Sequence, residues 1–304
     1  MLEAVSNGSA LLVDSSSIGR GASFAITLGS KAGCELTKTK TITPKSLPAA
    51  VRKAAKVVLD YCGKKSGARL SFSSEIPKEA GLGFEESIAV ASAVAVTGAL
   101  ARERGSVMEL KVDKYLKEQF YVIDGTVVDR IELARELSKQ GLDFSRVCCS
   151  LFGGFFITDD RKLEVLRRGE NEGFSVVACT LKKAGKSALF RNEVQLAWDE
   201  ALKGNLYSAM NMNALLHGSE TAREVTAKML EAGAVTTSYS GNSVLALIRD
   251  PEKVVRVKNS AKKFGDVILT STSNTQTSAL MKPRRIVKTA EFLEIKGDSS
   301  YYFL

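Results

Sequence analysis

Two glycines stand immediately before a helix of small residues, in the segment Glu75-Ile76-Pro77-Lys78-Glu79-Ala80-Gly81-Leu82-Gly83. Glycine lets the backbone turn tightly, and the first amides of the following helix then face outwards at the positive end of the helix dipole. Phosphate is the ligand that such an arrangement favours. The same glycines also suit a tight turn that brings a small-residue helix close to a sheet, so the motif alone leaves both interpretations open.

Further segments along the chain carry a resemblance to a known family. They are Gly19-Arg20-Gly21-Ala22-Ser23-Phe24-Ala25-Ile26, Ser150-Leu151-Phe152-Gly153-Gly154 with Thr158-Asp159, Ala232-Gly233-Ala234-Val235-Thr236, Ser240-Gly241, and Gly265-Asp266-Val267-Ile268-Leu269-Thr270. Together with Glu75 to Leu82, they resemble in order and approximate spacing the GHMP kinase superfamily, and within it the archaeal-type shikimate kinases. The resemblance spans most of the chain.

This resemblance implies an α+β, two-domain GHMP kinase fold. The expected N-terminal domain, residues 1–165, is mixed α/β, resembles ribosomal protein S5 and contains the ATP loop. The expected C-terminal domain, residues 166–304, is ferredoxin-like α+β. A charged stretch near residues 160 to 172 is the composition change that suggests this boundary.

The resemblance also implies an activity, namely ATP- and Mg²⁺-dependent phosphorylation of a small carboxylated alcohol, with shikimate converted to shikimate 3-phosphate. The triphosphate would lie on the loop formed by Gly81, Leu82, Gly83, Phe84, Glu85, Glu86 and Ser87. Two alternatives stay open. One is a paralogue that has lost kinase chemistry and serves in binding, and the other is a GHMP enzyme acting on a mevalonate-pathway acid.

Glu85 and Glu86 stand where the family has serines that hold phosphate and magnesium. At roughly 4 Å and an effective dielectric constant of about 20, each carboxylate facing a phosphate charge would cost on the order of 4 kcal/mol. Alternatively, Glu85 ligates Mg²⁺ directly, and the metal then reverses the sign of this interaction. In a third interpretation, the two carboxylates only stabilise the positive end of the helix.

The family's catalytic carboxylate lies in an Asp-Asp pair shortly before its Ser-Tyr-Phe-Gly-Gly strand, where it orients or deprotonates the attacking hydroxyl. Ungapped counting back from Ser150 places Ser145 and Arg146 there. Asp143 lies slightly upstream and takes the catalytic role only if the loop is shifted. Arg146 instead suits a bidentate contact with a phosphate or a carboxylate. Asp143 and Arg146 are therefore the catalytic candidates.

The substrate-binding candidates come from two other motifs. In the N-terminal stretch, Asp14 falls where the family has Asn and Arg20 where it has Lys, so a hydrogen-bonding group and a cation persist. In the third glycine segment, Ser240, Gly241 and Asn242 replace a Ser-Gly-Thr-Gly-Pro loop with one glycine fewer. We expect these residues to line the substrate or nucleotide pocket.

Hydrophobic periodicity predicts the elements that would position these motifs. Apolar-polar alternation predicts early strands at Ser9 to Val13, Ser23 to Leu28 and Cys34 to Thr41, and later ones at Ala68 to Phe72, Leu151 to Thr158, Phe174 to Thr180, Val244 to Ile248 and Asp266 to Leu269. Helical spacing predicts helices at Leu47 to Cys62, Ser87 to Arg102, Tyr115 to Gln140 as one or two helices, Glu193 to Asn205, Leu206 to Ala232, and Pro251 to Phe264.

Composition limits the class of partner. The 304 residues carry a net charge of +9, which attracts anions, but basic residues alternate with acidic ones, as on a solvated surface. We therefore expect a small-molecule substrate and neither nucleic acid nor a membrane, and the pattern allows a homodimer. The apolar run Ile88 to Val96 is shorter than the roughly 20 residues of a membrane span. The five cysteines contain no CxxC pair, and the N-terminal residues do not resemble a secretory leader. The expected location is therefore cytoplasmic.

Overall fold

The computed structural model describes residues 1–62, 66–111, 117–182, 191–282 and 285–287. The strands in these ranges are β1 (Leu2–Val13), β2 (Gly21–Thr37), β3 (Ile42–Thr43), β4 (Gly67–Ser74), β5 (Gly105–Lys111), β6 (Lys117–Ile123), β7 (Thr126–Val127), β8 (Phe155–Asp159), β9 (Glu164–Gly169), β10 (Ser175–Leu181), β11 (Thr236–Ser240), β12 (Ser243–Ile248), β13 (Gly265–Ser271), β14 (Ser278–Ala279) and β15 (Arg285–Val287). The helices are α1 (Ala49–Tyr61), α2 (Phe84–Arg104), α3 (Arg130–Ser138), α4 (Phe144–Phe152), α5 (Arg191–Lys203), α6 (Leu206–His217), α7 (Glu220–Glu231) and α8 (Val254–Ala261).

A seven-stranded sheet organises the first half of the chain. Its main path runs β14-β1-β2-β4-β3, with β8 added to β2 and β9 added to β8. Helix α2 packs on β1 and β2, while α1 and α4 cover other sides of the same helix. Because α2 is built from Ala, Val, Ser and Gly, these neighbours can approach it closely on every side.

Helix α2 is long and apolar enough to cross a membrane by length and composition alone. Within the protein, however, 83% of its apolar window is buried. All residues from Ser87 to Ala101 are inaccessible to solvent, which identifies α2 as the core helix of the first sheet. Its first turn emerges beside β1, since the Ser9 amide donates to the Leu82 carbonyl.

A second sheet, in the order β11-β12-β10-β13, organises the second half. All its neighbouring strands are antiparallel. Ser238 on β11 donates to the carbonyl of Leu11 on β1, which fastens this sheet to the first one. The chain leaves the first sheet after β9 and enters the second at β10. The proposed domain boundary at residue 165 falls inside β9, and it stays a prediction.

Three sequence expectations about strands and helices were wrong. Between Tyr115 and Gln140 we expected helices, but the described part of this segment, which excludes Tyr115, forms β6 and β7 before α3 begins. Phe120 and Val122 form one apolar face of β6, while Tyr121 and Ile123 face the main core. Because both faces are apolar, the alternation typical of a half-exposed strand is lost.

The strands expected at Ser23 to Leu28 and Cys34 to Thr41 are one continuous strand, β2. Gly29 looks like a break in the sequence, but it lies within the strand, where an added Cβ would come 2.1 Å from the Ser6 carbonyl oxygen. Glycine is thus required here by a close backbone approach, which sequence periodicity does not distinguish from a turn. The expected strand Leu151 to Thr158 likewise begins only at Phe155, since α4 occupies the preceding residues.

The burial of α2 predicts a large stability effect. Leu100 is fully buried in the core of the first sheet. Leu100→Ala should lower the free energy of unfolding by about 2–5 kcal/mol, because it removes apolar contacts and leaves a cavity. Leu196 on α5 is 58% exposed, so Leu196→Ala should change that free energy by less than about 0.5 kcal/mol. Urea denaturation measures both, and equal effects would contradict this role for α2.

Candidate functional site

The loop before α2 adopts a conformation that requires its glycines. Gly81 has φ of 70° and Gly83 has φ of 72°, in the left-handed region that side chains disfavour. A Cβ on Gly81 would lie 2.2 Å from the carbonyl oxygen of Ser240 and 2.7 Å from the Cα of Gly241. The two glycine-containing segments are therefore in direct backbone contact, and the first turn of α2 lies beside this contact.

The first turn of α2 offers amides that no described residue accepts. Gly83 is the N-cap and has no side chain to satisfy them. The backbone amides of Phe84 and Glu85 donate to no acceptor in the part of the chain that the structure describes. The Glu86 carboxylate lies close to its own amide and to that of Asp143, and both amides lower its pKa. Part of the anion-binding capacity of this helix end is thus already used by Glu86.

Glu85 and Glu86 have different surroundings. Glu85 is exposed, whereas Glu86 is half-buried. Burial raises the pKa of the Glu86 carboxyl, the Asp143 charge raises it further, and the Arg146 guanidinium and the two amides act in the opposite direction. Of the two carboxylates, Glu85 is the one directed to the open side of the helix end.

Arg146 is buried, with 8% of its surface exposed, and it connects three segments. Its guanidinium donates to the Gly81 carbonyl at 2.9 Å, to the Ser9 carbonyl at 3.3 Å and to the Ser240 hydroxyl at 3.1 Å. The Ser240 hydroxyl also donates to the Gly81 carbonyl at 2.7 Å. Arg146 therefore holds the glycine loop, β1 and β11 together, and its assignment as an anion-binding catalytic residue stays a prediction.

Asp143 caps helix α4. Its Oδ1 accepts from the Arg146 amide at 3.0 Å and from the Ser145 hydroxyl at 2.7 Å. The Ser145 hydroxyl also lies 2.7 Å from the Ser23 hydroxyl on β2. The cap places Asp143 close enough to Glu86 and Asp160 for its charge to raise the pKa of both carboxyls.

Asp160 follows β8 and was not among the candidates drawn from the sequence. Burial, the neighbouring Asp143 charge and the Asp159 charge together raise its pKa from 3.8 to about 7, against the opposing hydrogen bond from Thr158. That bond runs from Thr158 Oγ1 to Asp160 Oδ1 at 2.5 Å. The sequence signal is the consecutive pair Asp159-Asp160, a pattern that is also typical of a turn between strands.

Arg20 is held near this carboxylate group by two contacts. It forms a 2.8 Å ion pair with Asp159, and its guanidinium lies 4.7 Å from the centroid of the Trp198 ring. Trp198 itself donates to the Gly21 carbonyl at 3.1 Å. The Arg20 side chain is still 32% exposed, so a ligand can reach it.

The other substrate-binding candidates are placed as follows. The Asp14 amide donates to Asn213 at 2.8 Å, and its carboxylate accepts from Ser16 at 2.8 Å. Gly241 has φ of 60° and Asn242 accepts the Leu181 amide through its carbonyl, so both form the turn between β11 and β12. The structure brings Ser240 and Gly241 to the glycine loop, whereas Asp14 lies at the far end of β1. Their substrate contacts stay predictions.

A cavity opens beside the first turn of α2, and a groove runs along the neighbouring helix α1. The cavity, of about 190 Å³, is bounded by Glu85, Lys53 on α1 and the loop after α3. It shares Lys53 and Ala49 with a groove of about 550 Å³ along the outer face of α1, also lined by Lys40, Arg52 and Lys56. These three cations form no ion pair with any residue in the described ranges. This basic groove was not among the sites predicted from the sequence.

The described residues contain no group of three or more Asp, Glu, His or Cys side chains that could hold a metal ion. A Mg²⁺ ion needs only one or two protein carboxylates when phosphate oxygens complete its coordination. The exposed Glu85 beside unsatisfied amides fits that requirement, because it supplies a hard oxygen ligand where phosphate would lie.

No model of a protein family matches this sequence. A shikimate kinase from Pyrococcus furiosus is 30% identical over 284 residues, which cover 86% of this chain and 95% of that protein. A shikimate kinase from Methanothermobacter thermautotrophicus is 24% identical over 290 residues, covering 90% of this chain and 96% of that protein. Both alignments span nearly the whole relative.

Solved structures confirm the expected fold. The mevalonate kinase of Methanococcus jannaschii superposes with a TM-score of 0.58 at 17% identity, covering 90% of this chain and 98% of that one. The homoserine kinase of Cytophaga hutchinsonii gives a TM-score of 0.59 at 15% identity, covering 92% and 97%. At these identities the likeness is one of architecture.

The contacts of Arg146 predict a structural role for its side chain. Arg146→Met should lower the free energy of unfolding by about 2–4 kcal/mol, because three buried acceptors lose a charged donor. Arg249 forms an ion pair with Glu172 in which both side chains are more than half exposed. Arg249→Met should therefore cost less than about 1 kcal/mol. Guanidinium denaturation compares the two variants, and a neutral Arg146→Met would show that the three segments associate without it.

Proposed function

Because this chain belongs to the archaeal shikimate kinase family of GHMP kinases, we propose that it phosphorylates a hydroxyl of a small carboxylated alcohol with ATP. Shikimate, giving shikimate 3-phosphate, is the leading substrate. The observation that carries this proposal is the 30% identity over 284 residues to a kinase that the alignment covers almost completely.

The nucleotide would bind at the first turn of α2. The free amides of Phe84 and Glu85 supply donors for phosphate oxygens at the positive end of a 21-residue helix. The cavity beside Glu85 and the basic groove share Lys53 in their linings, and the groove has enough volume for the remainder of the nucleotide. Lys53 is the one cation that lines both spaces, so it is our candidate for neutralising phosphate charge.

Glu85 would hold Mg²⁺ together with the phosphates. When bound, the metal neutralises phosphate charge and thereby offsets the repulsion that a carboxylate at this position would otherwise exert. Glu86 does not compete for this role, because its carboxylate is engaged with two backbone amides. Of the three interpretations of this acidic pair, the geometry supports metal binding for Glu85 and helix capping for Glu86.

The acceptor substrate would bind between α4 and the start of β2. Arg20 is exposed enough to contact a substrate carboxylate while it keeps its ion pair with Asp159. Asp143 and Asp160 lie beyond it, on the side that leads to Glu86 and the helix end. This arrangement gives an anionic substrate a cation and gives its hydroxyl a carboxylate neighbour.

One observation favours a second candidate function, a paralogue without kinase chemistry. Arg146 is buried in contacts with the glycine loop, and ungapped counting places it where the family has its catalytic aspartates. A binding protein of this fold would retain those contacts and need no proton acceptor. We keep cytoplasmic location, a homodimer and the absence of nucleic-acid or membrane partners as further parts of the proposal.

The proposed activity predicts ADP formation that depends on shikimate. We expect turnover in a coupled assay with Mg-ATP and shikimate, and a higher Tm with Mg-ATP alone, because a ligand that binds only the folded state stabilises it. Mevalonate and homoserine complete the substrate panel. A folded protein that gains stability with Mg-ATP but phosphorylates none of these compounds would exclude them as substrates, whereas the absence of both effects would favour the paralogue.

The basic groove gives a prediction of its own. Lys53→Ala should raise the KM for ATP about tenfold, equivalent to about 1.4 kcal/mol, with little change in kcat. Lys203 lies on α5 and forms an exposed ion pair with Glu200, so Lys203→Ala should leave both constants unchanged. Steady-state kinetics at saturating acceptor substrate measures the pair, and an unchanged KM in Lys53→Ala would place the nucleotide elsewhere.

A further inference from the structure

Ungapped counting places Arg146 where the family carries a catalytic carboxylate, and on that alignment the proton acceptor comes from elsewhere. Three carboxylates form a row from the helix end of α2 to the end of β8, namely Glu86, Asp143 and Asp160. Asp143 is the middle member, since its charge acts on both of the others. The question is which of the three is available to a substrate.

Two of these carboxylates already have structural tasks. Glu86 lies close to its own backbone amide and that of Asp143, which both lower its pKa. Asp143 Oδ1 accepts from the Arg146 amide and the Ser145 hydroxyl as the cap of α4. Asp160 Oδ1 accepts from Thr158. In the described ranges, Oδ2 of neither aspartate accepts a hydrogen bond, but Asp143 caps a helix through its other oxygen whereas Asp160 caps none.

The position of Asp160 also suits the reaction. Thr158 pairs with Gly21 across β8 and β2, and a Cβ on Gly21 would lie 2.7 Å from both Asp160 Oδ1 and Ser145 Cβ. Asp160 thus lies beside the Arg20-Gly21 segment that would bind the substrate carboxylate. The absence of a side chain at Gly21 is what leaves room for the Asp160 carboxylate against α4.

The charged and titratable groups around Asp160 come from four elements. Asp143 and the buried Cys148 thiol belong to α4, Asp159 ends β8, and Arg20 precedes β2 but is paired with Asp159. Arg161 follows in the turn and packs over Gly19. Burial and the two aspartates raise the pKa of Asp160 to about 7. A proton acceptor is most effective when its pKa lies near the working pH.

We propose that Asp160, at the end of β8, is the general base of this kinase, with Oδ2 accepting the proton of the substrate hydroxyl. The inference rests on the proposed kinase function. The hydroxyl oxygen forms a bond to the terminal phosphorus of ATP, and its proton passes to Asp160. The bond from that phosphorus to the bridging oxygen breaks, and its electron pair leaves with ADP. Asp160 then releases the proton to solvent.

The first test is Asp160→Asn in the full-length protein. The kcat should fall by about 10²-fold or more, the contribution typical of a general base, while the KM for ATP changes by less than about twofold. Folding should be preserved. Because the pKa of Asp160 is raised, the folded protein binds an extra proton between about pH 4 and pH 7, compared with the unfolded chain. Above pH 7 the carboxyl is ionised in both states, and its charge destabilises the folded protein. Asp160→Asn should therefore be at least as stable as wild type at pH 8.

The second test uses Asp143→Asn, because asparagine caps a helix as well as aspartate does. Removing the Asp143 charge should lower the pKa of Asp160, so the ascending limb of kcat against pH should move from about 7 to lower pH. A merely structural role for Asp160 would not produce this shift. Wild-type enzyme at matched pH values is the reference.

The outcomes separate the two proposals. An active wild type with an inactive, folded Asp160→Asn variant and a shifted Asp143→Asn profile would support Asp160 as the base. An active wild type whose Asp160→Asn variant retains kcat, or an unshifted profile, would overturn the assignment and leave the kinase function intact. A wild type inactive on every acceptor in the panel would overturn the kinase function and the assignment with it.

Discussion

The contact between the glycine loop and the turn after β11 is the constraint on which the rest of the structure depends. Gly81 approaches Ser240 and Gly241 so closely that neither Gly81 nor Gly241 tolerates a side chain. Arg146 and the Ser240 hydroxyl fix this approach through the Gly81 carbonyl. The result is a helix end whose amides face an open cavity, built from residues more than 150 positions apart in sequence.

Charge at this helix end is divided between two tasks. Glu86 is half-buried beside two backbone amides that lower its pKa, whereas Glu85 stays exposed beside the cavity. In the family a single motif of serines serves the phosphates at this point. Here the negative charges require a compensating cation, and the basic face of α1 together with a bound metal provides it in our account. In the proposed function, the departure from the motif would change which groups bind phosphate, not where it binds.

The sequence predicted the fold well and the site only in part. Motifs in collinear order identified the family, and long amphipathic segments such as α1 and α5 were located within a few residues. Strand β6 was missed because both of its faces are apolar, and β9 was missed because it is mostly exposed. Neither strand therefore shows the alternation of apolar and polar residues that predicts a strand. Asp160 and Lys53 were missed because their roles depend on neighbours from distant elements, which spacing along one chain does not reveal.

The central claim is that the first turn of α2 still accommodates a polyphosphate despite its acidic residues. A crystal structure of the protein with Mg²⁺ and a non-hydrolysable ATP analogue tests it most directly. The account predicts phosphate oxygens on the amides of Phe84 and Glu85, with the metal bound to a Glu85 oxygen. A Phe84 ring or a Glu86 carboxylate filling that space, with the nucleotide absent or bound elsewhere, would contradict it.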